Sequence, residues 1–229
     1  MAGRWVKLSP VLKLMTVIVA VLLLLVGFET YLLVTRNGES SVPIRVACVG
    51  DSITAGTEYP VYLWQLLGSS YIVGNFGIGG ATVAKDTGSS WVNETGFSVS
   101  LSFKPNIVIL ALGTNDANTN YNETNAGFVA DYLTLIDEFK PLSSKPSLYL
   151  MLPPPIFPNN GNLSSTLLQN FVIPSIHQVA SQSGLAIIDA YSPLLDHPEY
   201  FADGVHPSVE GARIIAQEVH NSIIPAMPA

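Results

Sequence analysis

The run of apolar positions divides the chain in two. Residues 14–28 read LMTVIVAVLLLLVGF, fifteen positions without a charge, and the run resumes at residues 31–34 after Glu29 and Thr30. Counted over residues 11–34 it spans 24 positions, broken only by Lys13 and Glu29. A helix of about 20 mainly apolar residues crosses a bilayer, and a lysine near its end reaches the interface along its own methylene stem. The pattern predicts a transmembrane signal anchor over residues 14–34. Arg4, Lys7 and Lys13 lead it with no acid among them, which assigns residues 1–13 to the cytoplasm. The expected protein is a single-pass type II membrane protein, with everything after the span in a lumen or outside the cell. A cleaved signal peptide, ending in secretion, is the competing reading, but no small-residue cleavage site follows closely. The polar residues 35–42 read as a tether.

From residue 43 the pattern changes to short apolar runs alternating with helical periodicity. Residues 44–49 (IRVACV), 71–75, 107–112 (IVILAL), 147–152 and 186–188 read as strands. The continuous apolar character of 107–112 is that of a strand covered on both faces. Helices are expected over 60–67, over 125–139, where Phe128, Tyr132, Leu135, Ile136 and Phe139 share one face, over 163–181 with a bend at Pro174, and from a Ser208 cap to about residue 223. Residues 84–104, rich in Ser, Gly and Thr, are the least regular stretch. Five β-α alternations predict one α/β domain over residues 43–229. It is a three-layer sandwich with a doubly wound, mainly five-stranded parallel sheet, which binds ligands at the carboxyl ends of its strands.

Composition narrows the function classes. The 229 residues include 10 Lys+Arg against 17 Asp+Glu, a net charge of −7, which argues against a nucleic-acid partner. The single cysteine, Cys48, excludes an internal disulfide framework and a cysteine zinc site, and it reads as a small buried hydrophobe. No histidine pair or calcium-loop pattern calls for a metal, and no glycine-rich phosphate loop calls for a nucleotide, so no cofactor is expected. Three N-x-[ST] sequons, at Asn93, Asn122 and Asn162, are candidate N-glycosylation sites and agree with a secretory route.

Polar residues concentrate just after the strands. The first is followed by Gly50-Asp51-Ser52-Ile53-Thr54, the second by a block containing Asn75, Gly77, Gly79 and Gly80, and the third by Gly113-Thr114-Asn115-Asp116. Asp203-Gly204-Val205-His206-Pro207 stands before the last helix. A hydroxyl at a strand-to-helix turn is exposed, yet it needs a base to attack a carbonyl at neutral pH. His206 is the best base, and Asp203, three residues earlier, can hold the Nδ1–H and leave Nε2 for Ser52. Bland readings accompany each choice: Ser52 as a helix cap, His206 as a loop histidine, Asn115 as a turn residue, Asp51 as a turn-fixing carboxylate. His177 and His220 read as helix-face residues, and His197 is a minor rival base. Trp91, Phe97, Ile156 and Phe157 either line a substrate pocket or pack the loops.

These four blocks, in this order, resemble the SGNH (GDSL-type) hydrolase family over roughly residues 44–224. NFGIGG is similar to the corresponding block of platelet-activating-factor acetylhydrolase catalytic subunits. The stretch from MLPPPIF to HPEYFADGVHP resembles lysophospholipase-like and carbohydrate O-acetylesterase members. The resemblance implies a flavodoxin-like fold and an oxyanion hole made by the backbone N–H groups of Ser52 and Gly80 and the side-chain amide of Asn115. It departs at Ala81, where relatives often carry an acidic or polar residue, which removes any hydrogen bond from that side chain. The expected activity is a serine ester hydrolase acting through an acyl-enzyme on a small-molecule, glycan or lipid ester, with acetylated carbohydrate preferred. The alternatives are a lysophospholipase or short-chain lipid esterase, and a catalytically silent glycan-binding module.

Overall fold

The computed structural model describes residues 9–36, 42–121, 124–158 and 160–224. It divides into two units, Met1–Val42 and Pro43–Ala229. The described part of the first is one helix, α1 (Pro10–Arg36). Its uninterrupted apolar stretch, residues 14–28, rises only about 22 Å, against a hydrocarbon core of about 30 Å. Among the described residues no helix is long and apolar enough to cross a membrane. The expected anchor over residues 14–34, and with it the single-pass placement and the membrane contact, is therefore not supported. Arg4, Lys7 and most of the tether lie outside the described residues.

The second unit is built on five strands: β1 (Ile44–Gly50), β2 (Tyr71–Gly77), β3 (Ile107–Ala111), β4 (Ser147–Leu152) and β5 (Ala186–Asp189). All pair in parallel, in the order β2-β1-β3-β4-β5. Its helices are α2 (Ser52–Gly56), α3 (Tyr59–Leu67), α4 (Thr95–Ser102), α5 (Asn125–Phe139), the single turn α6 (Ser165–Leu167), α7 (Ile173–Ser183) and α8 (Val209–Ile223). Side chains alternate across the sheet with the period of two that strands impose. Ala47, Val49, Val108, Leu110, Leu148 and Leu150 pack on one side with α5 and α7. Val46, Cys48, Ile107, Ile109, Tyr149 and Met151 pack on the other with α3 and α8. Covering both faces explains why these strands read as unbroken apolar runs.

The chain enters at β1, steps outward to β2, then returns across β1 to β3, β4 and β5. The order reverses between β1 and β3, so the loops leaving these strands diverge and open a crevice at their carboxyl ends. That crevice receives the first three polar blocks.

Three local details differ from expectation. The bend expected at Pro174 is a π-helical turn, Leu168–Val172, immediately before α7, whose first turn holds the proline. Proline lacks the N–H for the ordinary i→i−4 bond, and a widened turn there absorbs the fault. The irregular stretch 84–104 contains α4 and two 3₁₀ turns, Lys85–Thr87 and Trp91–Asn93. Ser208 occupies the N-cap position of α8, but its hydroxyl donates to the Glu210 carboxylate and not to a capping contact.

Candidate active site

Asp51 follows β1 directly and caps α2, its Oδ1 accepting from the Ile53 N–H at 2.9 Å. That cap fixes Ser52 as the first helical residue, at the mouth of the crevice. Asp203 organises the loop before α8 in the same way, its Oδ1 accepting from Val205 N at 3.0 Å and His206 N at 2.8 Å. Its other oxygen lies 2.6 Å from His206 Nδ1. His206 Nε2 lies 2.8 Å from Ser52 Oγ, a contact between residues 154 positions apart. Because an ionised carboxylate only accepts, Nδ1 carries the proton and Nε2 is left to accept from the Ser52 hydroxyl.

Partial burial pushes the Asp203 carboxyl up, but the backbone N–H and ring of His206 and the Val205 N–H outweigh it and hold the pKa down to about 2. The carboxylate thus stays ionised throughout the range in which an imidazole accepts protons. Gly204 keeps this loop in place. Its φ is +80°, and a Cβ there would sit 2.4 Å from the Pro158 carbonyl oxygen and 2.6 Å from that of Phe157. The Phe157 N–H also donates to the Gly204 carbonyl at 2.8 Å, tying the loop to the segment after β4.

The expected oxyanion donors lie on the neighbouring loops. Gly80 has φ +77°, a conformation that favours glycine, and an added Cβ there would meet nothing within 4 Å. Among the described residues neither the Ser52 nor the Gly80 N–H has a backbone acceptor. Asn115 donates one amide hydrogen to the Ala81 carbonyl at 2.9 Å. The amide is thereby fixed, and its second hydrogen remains for a ligand.

The sequence did not single out what holds Gly80 and Asn115 together. Asp116 is buried, and its carboxylate accepts from Ala84 N at 2.9 Å and Val83 N at 3.1 Å. With the Asn115–Ala81 bond this staples the loop after β2 to the loop after β3. On the other side, Asn75 donates to the Thr54 carbonyl at 2.8 Å, and Ile78 N to the Gly50 carbonyl at 2.9 Å. An Asp directly after Asn115 was the only available signal.

Burial pushes Asp116 up to about 7 and Asp51 up to about 6, against the pull of their backbone N–H donors. Both bind a proton more tightly folded than unfolded. Their contribution to stability is full below about pH 4 and is lost as pH rises through about 7. Asp116→Asn, which does not titrate, is expected to flatten this part of the decline in Tm between those limits. Asp116→Ala strands two buried N–H groups and is expected to cost about 3 kcal/mol. Thermal unfolding across pH 4–8 measures both.

Other residues resolve plainly. His197 bonds Glu199 at 2.8 Å and stacks on Tyr200, apart from Ser52. Trp91 is fully buried, donates to the Phe76 carbonyl and sits among Phe97 and Phe139, so it is core and not pocket lining. Ile156 is buried likewise, and Phe157 packs on Phe201. Cys48 is buried, its thiol pushed up to about 12 by burial.

The model of the GDSL-like lipase/acylhydrolase family matches residues 48–214, a stretch that contains Ser52, Gly80, Asn115, Asp203 and His206. The chain belongs to that family. The GDSL-like family is one of carboxylic ester hydrolases. This member is 31% identical over 206 residues to an acetylxylan esterase of Xylanibacter ruminicola. The match takes in 79% of this chain and 43% of the relative, so the chain spans less than half the length of that curated protein. A lipase/acylhydrolase from Enterococcus faecalis superposes with a TM-score of 0.68 at 25% identity, over 81% of this chain and 97% of that one. The fold is shared with a carbohydrate acetylesterase family member from Sinorhizobium meliloti, TM-score 0.62 at 20% identity, over 79% and 97% of the two chains. It is also shared with a catalytic mutant of an acetylxylan esterase from Geobacillus stearothermophilus, TM-score 0.62 at 24% identity, over 79% and 94%.

Proposed function

We propose that this GDSL-like protein is a serine esterase that removes small acyl groups, chiefly acetyl, from carbohydrate esters. Ser52 Oγ attacks the ester carbonyl as His206 Nε2 takes its proton, and Asp203 holds the imidazolium that forms. The negative charge gathering on the carbonyl oxygen is received by Ser52 N–H, Gly80 N–H and the free Asn115 amide hydrogen. The intermediate collapses, His206 returns the proton to the departing alcohol oxygen, and an acyl-Ser52 ester remains. Water, activated by the same imidazole, then releases the acid and restores the serine.

The observation that carries this reading is the 2.8 Å contact between His206 Nε2 and Ser52 Oγ, with Asp203 behind the ring. The acetyl and carbohydrate preference is supported by the acetylxylan esterase relative and by the openness of the crevice. The side chains of His206 and Asp203 are 44% and 56% exposed, which leaves room for a bulky alcohol. A hydrolysis panel tests it: p-nitrophenyl acetate and longer p-nitrophenyl esters, acetylated xylan, acetylated sialic acid and lysophosphatidylcholine. Highest kcat/KM on acetyl esters, with release of acetate from a glycan, is expected. Activity confined to long chains or to the lysolipid would move the protein to the lipid-esterase reading.

We also propose that the domain works outside the cytoplasm, which the sequons support. Asn93 and Asn162 are exposed, as a glycosylated asparagine must be, while Asn122 lies outside the described residues. Expressed through a eukaryotic secretory pathway, the protein is expected to lose mass on treatment with an N-glycosidase. Substituting Asn93 and Asn162 by Gln should remove that shift except for any share carried by Asn122.

A further inference from the structure

A cavity of about 480 Å³ opens between α7 and the edge strand β5. Residues 169, 173 and 177 line it at helical spacing, and β5 contributes Ile187 and Asp189. None of the catalytic or oxyanion residues lines it.

Strand register sets its distance from the nucleophile. Gly50 pairs with Ala111, Leu110 with Leu150, and Leu152 with Asp189. Carried through the sheet, this register puts Asp189 on one row with Asp51, three strand spacings, or about 14 Å, away. Ile187 also packs on the same side of the sheet as Ala81 and Ala117, the neighbours of the Gly80 and Asn115 loops. The cavity and the oxyanion donors therefore share one sheet face near one edge, a few sugar units apart.

The lining chemistry is specific. Asp189 uses Oδ1 to accept from Tyr191 N at 2.9 Å and Ser192 N at 2.8 Å, which fixes the carboxylate and leaves Oδ2 for other donors. Among the described residues, the side-chain polar atoms of Gln169, His177 and Tyr191 have no protein partner. Together these groups offer donors and acceptors in close alternation, as vicinal hydroxyls require. Ile173 and Ile187 supply an apolar floor for the C–H face of a ring. Among the described residues no Lys or Arg lines the cavity, and the fixed carboxylate opposes an anionic ligand.

We infer that the cavity between α7 and β5 is a second binding subsite, which holds a neutral sugar unit of the polymer whose acetyl group lies at Ser52. This deepens the proposed function and rests on its carbohydrate reading. The subsite does no chemistry. It adds binding energy remote from the reacting bond, which acts on polymeric substrates and not on small esters.

The test uses the full-length Ser52→Ala protein, backbone-assigned by NMR and titrated with unacetylated xylohexaose, with polygalacturonate and lysophosphatidylcholine as contrasts. Xylohexaose is expected to shift the amide signals of Gln169, His177 and Tyr191 with a Kd of roughly 1 mM, and Gln169→Ala and His177→Ala, both exposed, are expected to abolish the shifts. In the active protein the same two substitutions should raise KM for acetylated xylan about five-fold with kcat held, and leave p-nitrophenyl acetate hydrolysis unchanged. No shift at those amides, an unaltered KM on the polymer, or preference for the acidic polymer or the lysolipid would overturn the subsite. If xylohexaose binds the cavity but acetylated xylan is not cleaved, the subsite stands and the substrate assignment falls.

Discussion

Ser52→Ala is expected to lower kcat for p-nitrophenyl acetate by at least roughly 10⁴-fold, with the fold intact and KM little changed. The loss is large because, among the described residues, no other hydroxyl bonds the imidazole: the His206 Nε2 contact is to Ser52 Oγ, at 2.8 Å. His206→Ala should lose a similar factor, since a serine without its base is a weak nucleophile at neutral pH. The double variant should be no worse than either single one, because the two side chains act as a unit. Steady-state kinetics of the three proteins, with circular dichroism as the folding control, measures this. Independent, multiplying losses would show that Ser52 and His206 do not work on the same step.

Asn115→Ala is expected to reduce kcat by about 10²- to 10³-fold, or about 3–4 kcal/mol, with little effect on KM. The reason lies in when the bond forms. The Asn115 amide is already committed through one hydrogen to the Ala81 carbonyl, so its free hydrogen stands in place before charge develops. A donor oriented in advance stabilises the transition state more than the substrate. Asn115→Asp tests the sign of the charge. It replaces a donor by an acceptor of nearly the same shape and should be at least as damaging as alanine. Equal loss in KM and kcat/KM for Asn115→Ala would instead mark the residue as a ground-state binding contact.

The strands were legible because both faces of the sheet are covered. Residues 107–112 and 147–152 have no polar face to confuse the reading. The ends of β1 and β2 were not, because Gly50 and Gly77 carry no side chain to report burial. α4 escaped for a different reason. Its sequence, TGFSVSLS, has weak helix propensity, and its place in the fold comes from Phe97 and Leu101 packing against the core of one sheet face. The apolar run at residues 14–28 extends to residue 34 only by counting across Glu29 and Thr30, which interrupt the apolar character and not the helix.

At the site, Ser52, Asp203 and His206 were legible from local chemistry: a hydroxyl after a strand, and a carboxylate three residues before a histidine. Their meeting was legible only through the sheet topology that the strand pattern implies and through the family resemblance. Nothing local brings His206 to Ser52, and only the β1–β3 reversal and the loop before α8 do so. The supports of the site were also hidden. Asp116 reads as one more polar loop residue until its carboxylate is seen to accept from Val83 and Ala84. Gly204 reads as an ordinary turn glycine until the Phe157 and Pro158 carbonyls close around it. For Trp91 the sequence leaves pocket lining and packing both open, and its full burial decides for packing.

The central claim is that the hydroxyl at position 52 is made nucleophilic by its imidazole neighbour. Treating the purified protein with a fluorophosphonate and digesting it for mass spectrometry tests this directly. The account predicts one adduct per chain on the peptide carrying Ser52, lost in Ser52→Ala and strongly slowed in His206→Ala. An adduct on another residue, or labelling at an unchanged rate without His206, would contradict it.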